Sequence, residues 1–285
     1  MRQIVHTAIL VAGIYSAAGM AFADDSVWQT SKWGEGDALG AANYLSAEGV
    51  LRAVELVTEG QVYALGMEIG PDTPGVASRF VEILIQMPGQ YGGQVLAANR
   101  VNYLDDTFIG SLGMGTQLDG LAHVGIENTF YNGRNVGDFV TSTGVTELGI
   151  EGIPPMVTRG VLLNVASYRG VDRMAAGDAI DGAEIEAIAA AQNITIEEGD
   201  VVILHTGWLS LVGTDNDAFM AGEPGLNRDG AEFLVSRGVV AVGTDTWGTD
   251  VVPFENPEEL FPVHEHLLAR NGTYLLQNLN TAELA

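Results

Sequence analysis

Apolar runs alternate with amphipathic stretches through the second half of the chain. Four continuous apolar runs are typical of strands that a sheet buries on both faces, and they occupy residues 159–166, 200–207, 239–246 and 273–279. Apolar residues at helical spacing predict helices between and beside these strands, at residues 182–192, 228–238 and 262–271. This alternation predicts an α/β domain with a mixed sheet.

The first half of the chain is richer in predicted strands. Ser46 is a favourable N-cap, and the apolar spacing that follows it predicts a helix over residues 46–57. Residues 62–69 and 80–87 read as two strands separated by turn residues. With no linker rich in Pro or Ser, residues 24–285 are expected to form a single domain.

The N-terminal segment has the organisation of a secretory signal peptide. Arg2 precedes an apolar stretch, and Ala21-Phe22-Ala23 follows it as an A-x-A cleavage site. We expect cleavage after Ala23 and a periplasmic or secreted mature protein. The chain has no Cys, so its stability must come from core packing instead of disulfides.

The charge balance excludes two classes of partner. Twelve basic residues stand against 37 acidic ones, which gives a formal net charge of −25 over the 285 residues. Such a surface repels phosphate backbones and anionic lipid, so neither nucleic acid nor a membrane is an expected partner.

The stretch GMGTQLDGLAHVG, residues 113–125, concentrates the polar groups that suggest chemistry. An extended backbone to Asp119, followed by a helical turn, would bring Gln117, Asp119 and His123 together. Carboxylate and neutral imidazole are suitable ligands for Zn²⁺ or Mn²⁺. The alternative is structural, with Asp119 capping a short helix and His123 donating to a backbone carbonyl.

Two other histidines are candidates for a functional site. On the predicted helix 262–271, His264 shares a face with Leu267 and Leu268 and therefore points inward, either as a second imidazole ligand or as a packed core residue. His205 follows a buried strand at its C-terminal end, where α/β sites tend to lie, and is a secondary candidate. Arg159 is expected to be an internal ion-pair partner.

The chain resembles the bacterial cyclase family, which includes arylformamidases (kynurenine formamidases) and isatin hydrolases. The family signature H-x-G-T-H-x-D-x3-H aligns with GMGTQLDGLAH through Gly115, Thr116, Asp119 and His123. The resemblance continues in family order through VTRGVLLNVA, GDVVILHTGW, EPGLN, VAVGTDTWG and FPVHEHLLARNGTYLLQNL. It implies a mixed α/β domain of the swivelling ββα type, assembled as a homodimer or homotetramer.

Three positions depart from the family pattern. Gly113 and Gln117 stand where the signature has its first two histidines, and Gln277 stands where the family commonly has a ligating Glu. Asp119, His123 and His264 remain, and three protein ligands plus a water suffice for one catalytic metal. Gln117 would add a neutral oxygen. We therefore expect a single divalent ion, Mn²⁺ or Zn²⁺, with the amide oxygen shifting the preference toward Mn²⁺.

The resemblance implies a metal-dependent hydrolase that cleaves the C–N bond of an amide, formamide or lactam through a metal-activated water. Asp119 would hold the metal, while His123 would either ligate it or act as the general base. Residues beside family-like motifs are candidates for contacts to a small, aromatic substrate: Trp33, Asn43, Tyr131 and Trp247.

Two alternatives stay open at this stage. The lost ligands are compatible with a non-catalytic periplasmic protein that binds a small molecule on the same fold. Asp119 and His123 are also compatible with a metal-free enzyme that uses them as an acid–base pair.

Overall fold

The structure is a computed structural model that describes residues 30–76, 78–86 and 95–285. The predicted signal peptide, residues 1–23, lies outside the described residues. The strands are β1 (Val81–Gln86), β2 (Asp105–Gly110), β3 (Gln117–Asp119), β4 (Thr129–Phe130), β5 (Arg134–Asn135), β6 (Val140–Thr141), β7 (Gly144–Val145), β8 (Gly160–Asn164), β9 (Ala179–Ile180), β10 (Val201–His205), β11 (Gly225–Leu226), β12 (Ala241–Thr244) and β13 (Tyr274–Gln277). The α-helices are α1 (Ala47–Glu55), α2 (Val136–Phe139), α3 (Val165–Tyr168), α4 (Gly182–Ala191), α5 (Asn216–Ala221), α6 (Arg228–Ser236) and α7 (Pro262–His264).

A five-stranded mixed sheet organises the second half of the chain. Its strand order is β3-β13-β12-β10-β8, in which β8, β10, β12 and β13 are mutually parallel and β3 runs antiparallel to β13. The four parallel strands coincide with the four apolar runs that predicted them. The predicted α/β class with a mixed sheet is confirmed.

The parallel strands are buried because helices cover the sheet. Leu204 of β10 and Val242 of β12 are completely buried in one core cluster. Helices α4 and α6 lie within the ranges predicted for them. Asp181 and Asn227 are their N-caps, and their side chains accept from the backbone N–H groups of Glu184 and Gly230, respectively. Continuous apolar runs are therefore matched by burial on both faces, as a parallel sheet requires.

The first half of the chain departs from the prediction. Strand β1 lies within the predicted range and pairs antiparallel with β2, which the sequence reading did not predict. The strand predicted at residues 62–69 is wrong. Val62 is 92% exposed. The backbone of this segment makes single hydrogen bonds instead of a strand ladder, and in one of them Met67 N–H donates to Thr116 Oγ1. Without a neighbouring strand, β-forming residues do not make a sheet.

Helix α1 begins at the predicted Ser46 cap, whose side chain accepts from the N–H of Gly49. None of its residues is buried, although its apolar spacing is that of a helix packed on a core.

The predicted helix at residues 262–271 consists of two parts. Residues Pro262–His264 form an α-helical turn, and Glu265–Arg270 continue as a π-helix. His264, Leu267 and Leu268 are buried together, so the predicted inward face is confirmed. A π-helical turn next to a polar cluster is a common feature of functional sites.

No helix within residues 30–76, 78–86 and 95–285 combines the length and apolar character that crossing a bilayer requires.

Candidate metal centre and its cavity

Strand β3 carries two polar side chains of the site. Its antiparallel register with β13 places Gln117 opposite Gln277 and Asp119 opposite Leu275. The predicted helix after Asp119 is wrong, because residues 120–123 form a turn closed by a bond from His123 N–H to Gly120 O at 3.0 Å. The turn still returns His123 to Asp119, since three residues complete the reversal without a helix.

Asp119, His123 and His264 converge on one point. His264 Nε2 lies 3.6 Å from Asp119 Oδ2, and His123 Nε2 lies 3.9 Å from the same oxygen. One ligand atom from each of the three residues falls within 4.8 Å of the others. The sequence predicted this meeting of side chains that are distant along the chain.

Asp250 fixes the orientation of His264. Its carboxylate accepts from the backbone N–H of Val263 at 2.7 Å and contacts His264 Nδ1 at 2.5 Å. With Nδ1 engaged, the other ring nitrogen, Nε2, is presented to the cluster. A carboxylate behind an imidazole is the usual support of a metal-ligating histidine.

Gln117 and Gln277, two of the three residues that depart from the family signature, form an amide pair beside the cluster. Gln117 Nε2 donates to Gln277 Oε1 at 2.8 Å and to Asp119 Oδ1 at 3.0 Å. Gln277 Nε2 lies 2.8 Å from His264 Nε2, so the amide pair also contacts the imidazole of the cluster. Asp119 Oδ2 and Gln117 Oε1 are buried, and neither atom accepts a hydrogen bond from any described residue.

The electrostatics of the three groups differ. Burial disfavours the charged form of His264, but contacts with Asp119 and Asp250 outweigh burial and raise its pKa to about 9. Burial likewise opposes ionisation of Asp119, yet the neighbouring imidazoles hold its pKa below the usual value. For His123, burial and the positive charges of His264 and Arg79 lower the pKa, against the opposing effect of Asp119. His123 is therefore neutral near pH 7 and available as a ligand or a base.

The residues fit a divalent cation. The donor set is one carboxylate and two imidazoles, which suits zinc or manganese. A buried carboxylate oxygen that accepts no hydrogen bond is costly, and a cation at the cluster would neutralise the charge of Asp119 and contact its Oδ2.

A cavity of about 240 Å³ opens onto the cluster. His123 is 38% exposed there, while His264 lies at its buried end. The apolar walls come from Trp247, Phe261 and Val124. The predicted contact residue Trp247 therefore lies at the cavity.

The other predicted contact residues lie elsewhere. Trp33 and Tyr131 line a separate cavity of about 350 Å³, and Tyr131 donates its hydroxyl to Asp37 at 2.6 Å. Asn43 donates to Asp37 and to the carbonyl of Gly40. The structure does not bring these three residues to the cluster: Tyr131 and Asn43 bond Asp37, and Trp33 packs against Tyr44.

His205 and Arg159 occupy the positions expected of them. His205 ends β10 and bonds Thr281 Oγ1 at 2.7 Å, next to a cavity other than that of His123. Arg159 donates to Asp200 from Nε at 2.8 Å and from Nη2 at 2.6 Å, which makes it the predicted internal ion-pair partner.

Three residues of the site were not predicted. Arg79 lines the cavity, Asp250 supports His264, and Glu223 is fully buried behind Gly248. Burial raises the pKa of Glu223 well above its ordinary value, although its Oε2 accepts from Gly248 N–H. Glu223 lies in the family-like segment EPGLN, which was the available signal. No sequence motif pointed to Arg79 or Asp250, because only tertiary contacts bring them to the site.

Comparison with known proteins gives a consistent result. The Cyclase family model matches residues 63–251, which is more than half of the chain. A solved structure described as a novel cyclase superposes with a TM-score of 0.81 at 26% identity, covering 89% of this chain and 85% of that chain. Isatin hydrolase A from Ralstonia solanacearum has the same fold, with a TM-score of 0.59 at 21% identity over 85% of this chain and 87% of its own.

An isatin hydrolase bound to the product analogue thioisatinate superposes with a TM-score of 0.56 at 22% identity, covering 85% of this chain and 88% of that one. No curated protein matches the chain.

Proposed function

The chain belongs to the cyclase family, and on that premise we propose that it is a metal-dependent hydrolase of C–N bonds in small amides, formamides or lactams. The proposed cofactor is one divalent ion, Mn²⁺ or Zn²⁺. When bound, such an ion lowers the pKa of a water molecule and polarises a carbonyl group.

One observation carries the proposal. Asp119, His123 and His264 present their ligand atoms within 4.8 Å of one another beside a cavity, and no group among the described residues donates a hydrogen bond to the buried Asp119 Oδ2. A structural cluster would satisfy that oxygen from the protein, as buried polar atoms normally are.

Each side chain of the site has a separate role in the proposed reaction. Asp119, His123 and His264 hold the ion, and Asp250 keeps His264 in the orientation that exposes Nε2. Gln117 presents an unpartnered amide oxygen beside the cluster, either to the ion or to an N–H of the substrate. Trp247 and Phe261 exclude water from one side of the cavity and contact the body of the substrate.

Replacing Asp119 tests the proposal. Asp119→Asn keeps the size of the side chain but removes the only carboxylate of the donor set, so we expect loss of bound metal and of activity. The expected fall in kcat/KM exceeds about 100-fold, because even residues that only support metal ligands contribute about 10- to 100-fold. Metal content is measured by elemental analysis, and turnover with N-formylkynurenine and isatin.

The matched control is Asp105→Asn, an exposed carboxylate at the start of β2 that should change neither quantity. Unchanged metal content in the Asp119→Asn protein would contradict the assigned site. His123→Ala separates the two roles of the imidazole. Loss of metal identifies a ligand, whereas retained metal with lost turnover identifies a general base.

Chelation of the unmodified protein distinguishes the competing functions. Turnover abolished by chelator and restored by Mn²⁺ or Zn²⁺ supports the hydrolase. Turnover that is insensitive to chelator would instead identify an enzyme in which Asp119 and a histidine act as an acid–base pair. Tight binding of a small molecule without turnover would identify a binding protein.

A further inference from the structure

Arg79 occupies the space that a side chain at position 113 would need. A Cβ atom added to Gly113 would lie 2.9 Å from Arg79 Nη1 and 3.0 Å from its Cζ. Arg79 Nη1 also donates to the carbonyl of Gly113 at 3.0 Å. The glycine therefore makes room for the guanidinium, at a position where the family signature has a histidine.

The β1–β2 hairpin brings the two residues together. Val81 pairs with Gly110 at the open end of the hairpin, so Arg79 leads into one strand and Gly113 leaves the other. The chain then continues from Gly113 directly to Gln117 and Asp119. Arg79 is thus fixed to the same short segment that supplies two polar residues of the site.

Among the described residues, the guanidinium has no carboxylate partner. Arg159 and Arg169 each hold a carboxylate oxygen at 2.6 Å, and Arg79 holds none within ion-pair distance. Yet Arg79 lines the cavity together with His123 and Trp247, and its charge depresses the pKa of His123. In a chain with 37 acidic residues, an arginine that faces a cavity without an acid is available to an external anion.

We propose that Arg79 binds a carboxylate of the substrate, so that the hydrolase proposed above acts on amides or lactams that carry an acidic group. A planar guanidinium matches a carboxylate in two parallel hydrogen bonds. The apolar walls from Trp247, Phe261 and Val124 accept the ring or chain that carries this group. A volume of about 240 Å³ limits the ligand to a small molecule. This specificity rests on the proposed hydrolytic function, but the carboxylate site itself is tested without turnover.

The binding test uses benzoate and its neutral analogue benzamide, titrated calorimetrically into chelator-treated protein so that no metal contributes. We expect Arg79→Met to weaken benzoate binding by about 10- to 100-fold, the range for hydrogen bonds to a charged group, and to leave benzamide binding unchanged. The matched control, Arg52→Met, removes an equal charge from α1, where Arg52 lies in the last turn, and should leave both affinities unchanged.

A second variant tests the same site without removing the arginine. Gly113→Ala adds the Cβ that would stand 2.9 Å from Arg79 Nη1 and must displace the guanidinium. We expect it to weaken benzoate binding in the same direction, and to add little in the double variant with Arg79→Met, because both changes remove one contact. Circular dichroism verifies that each variant is folded.

Kinetics with N-formylanthranilate and formanilide, which differ by one carboxylate, separate this inference from the proposed function. The expected result is that Arg79→Met lowers kcat/KM only for N-formylanthranilate. Equal benzoate affinity in the unmodified and Arg79→Met proteins, or no measurable benzoate binding to the unmodified protein, would overturn the inference even if formanilide is hydrolysed. Benzoate binding that depends on Arg79, without hydrolysis of either anilide, would refute the hydrolase and keep the carboxylate site.

Discussion

The two halves of the chain use the same apolar patterning with opposite results. In the second half, the apolar runs become β8, β10, β12 and β13 and are buried between helices. In the first half, helix α1 and the β1–β2 hairpin have comparable apolar content, yet α1 buries none of its residues and β1 buries only Val81. Apolar spacing therefore predicts which face seeks burial, but not whether the same chain provides the cover.

Helix α1 and the β1–β2 pair each expose several large apolar side chains. Leu51 and Val54 on α1 are 67% and 61% exposed, and Leu84 and Phe108 on the hairpin are 50% and 48% exposed. Groups of this kind mark interaction surfaces in soluble proteins. We propose that another copy of the chain covers some of these residues, in the homodimer or homotetramer that the family resemblance implies.

The largest expected difference between the halves is in how much the free energy of unfolding falls when a leucine is replaced by alanine. Leu204→Ala, at a completely buried position of β10, should lower the free energy of unfolding by about 3 kcal/mol, since it removes packed atoms and leaves a cavity. Leu51→Ala, on exposed α1, should change it by less than about 0.5 kcal/mol in dilute solution. Urea denaturation measures both.

Repeating the Leu51→Ala measurement over a range of protein concentrations tests for cover by another copy. A loss of stability that grows with concentration indicates that Leu51 is buried in an oligomer. A loss at Leu51 that matches the one at Leu204 at every concentration would contradict the contrast between the halves.

The next expected difference is in how a buried and an exposed carboxyl group make the free energy of unfolding depend on pH. Burial raises the pKa of Glu223 above its unfolded value of about 4.5, so the folded state retains a proton that the unfolded state loses as the pH rises. Stability from this group is complete below that value and declines above it, by at most about 1.4 kcal/mol per pH unit, until the folded-state pKa is passed.

Glu223→Gln removes this decline, and the variant should be more stable than the unmodified protein at pH 8 in chelator-treated samples. The amide oxygen of the glutamine still accepts from Gly248 N–H. Glu82→Gln, on exposed β1, is the matched control and should leave the pH profile unchanged. Parallel profiles for the Glu223→Gln and unmodified proteins would show that Glu223 ionises normally in the folded state.

The smallest expected difference concerns helix caps. Asp181→Ala removes the acceptor for Glu184 N–H at the start of buried α4, and should lower the free energy of global unfolding by about 1 kcal/mol. Ser46→Ala removes the corresponding bond to Gly49 N–H at the start of α1. Because α1 is not packed into the core, its loss should appear in local hydrogen exchange and hardly at all in global unfolding.

The sequence predicted best where periodicity and burial agree. The four parallel strands were predictable from their continuous apolar runs, and helices α4 and α6 from their apolar spacing and N-caps, because the same chain buries these residues. The strand predicted at residues 62–69 did not form, because no strand within the described part of the chain pairs with it. The helix predicted from Asp119 to His123 failed because a tight turn achieves the same return with fewer residues.

The site was predictable in its central residues and not in its surroundings. Asp119, His123 and His264 could be found because their spacing and the inward face of one helix are properties of the sequence. Asp250 and Arg79 could not, since their proximity depends on how His264 packs and on how the hairpin closes. Their function as ligand support and as anion contact stays a prediction until the variants are measured.

The pairing of β3 with β13 has a consequence for how the protein matures. Gln117 and Gln277 are 160 residues apart in the chain, and they meet only when β13 adds to the growing edge of the sheet. A nascent polypeptide therefore carries Asp119 and His123 long before His264 and Gln277 are synthesised. If the proposed metal binds at this cluster, its uptake should follow the pairing of β13 with β3 and should therefore distinguish completed molecules from partly folded ones.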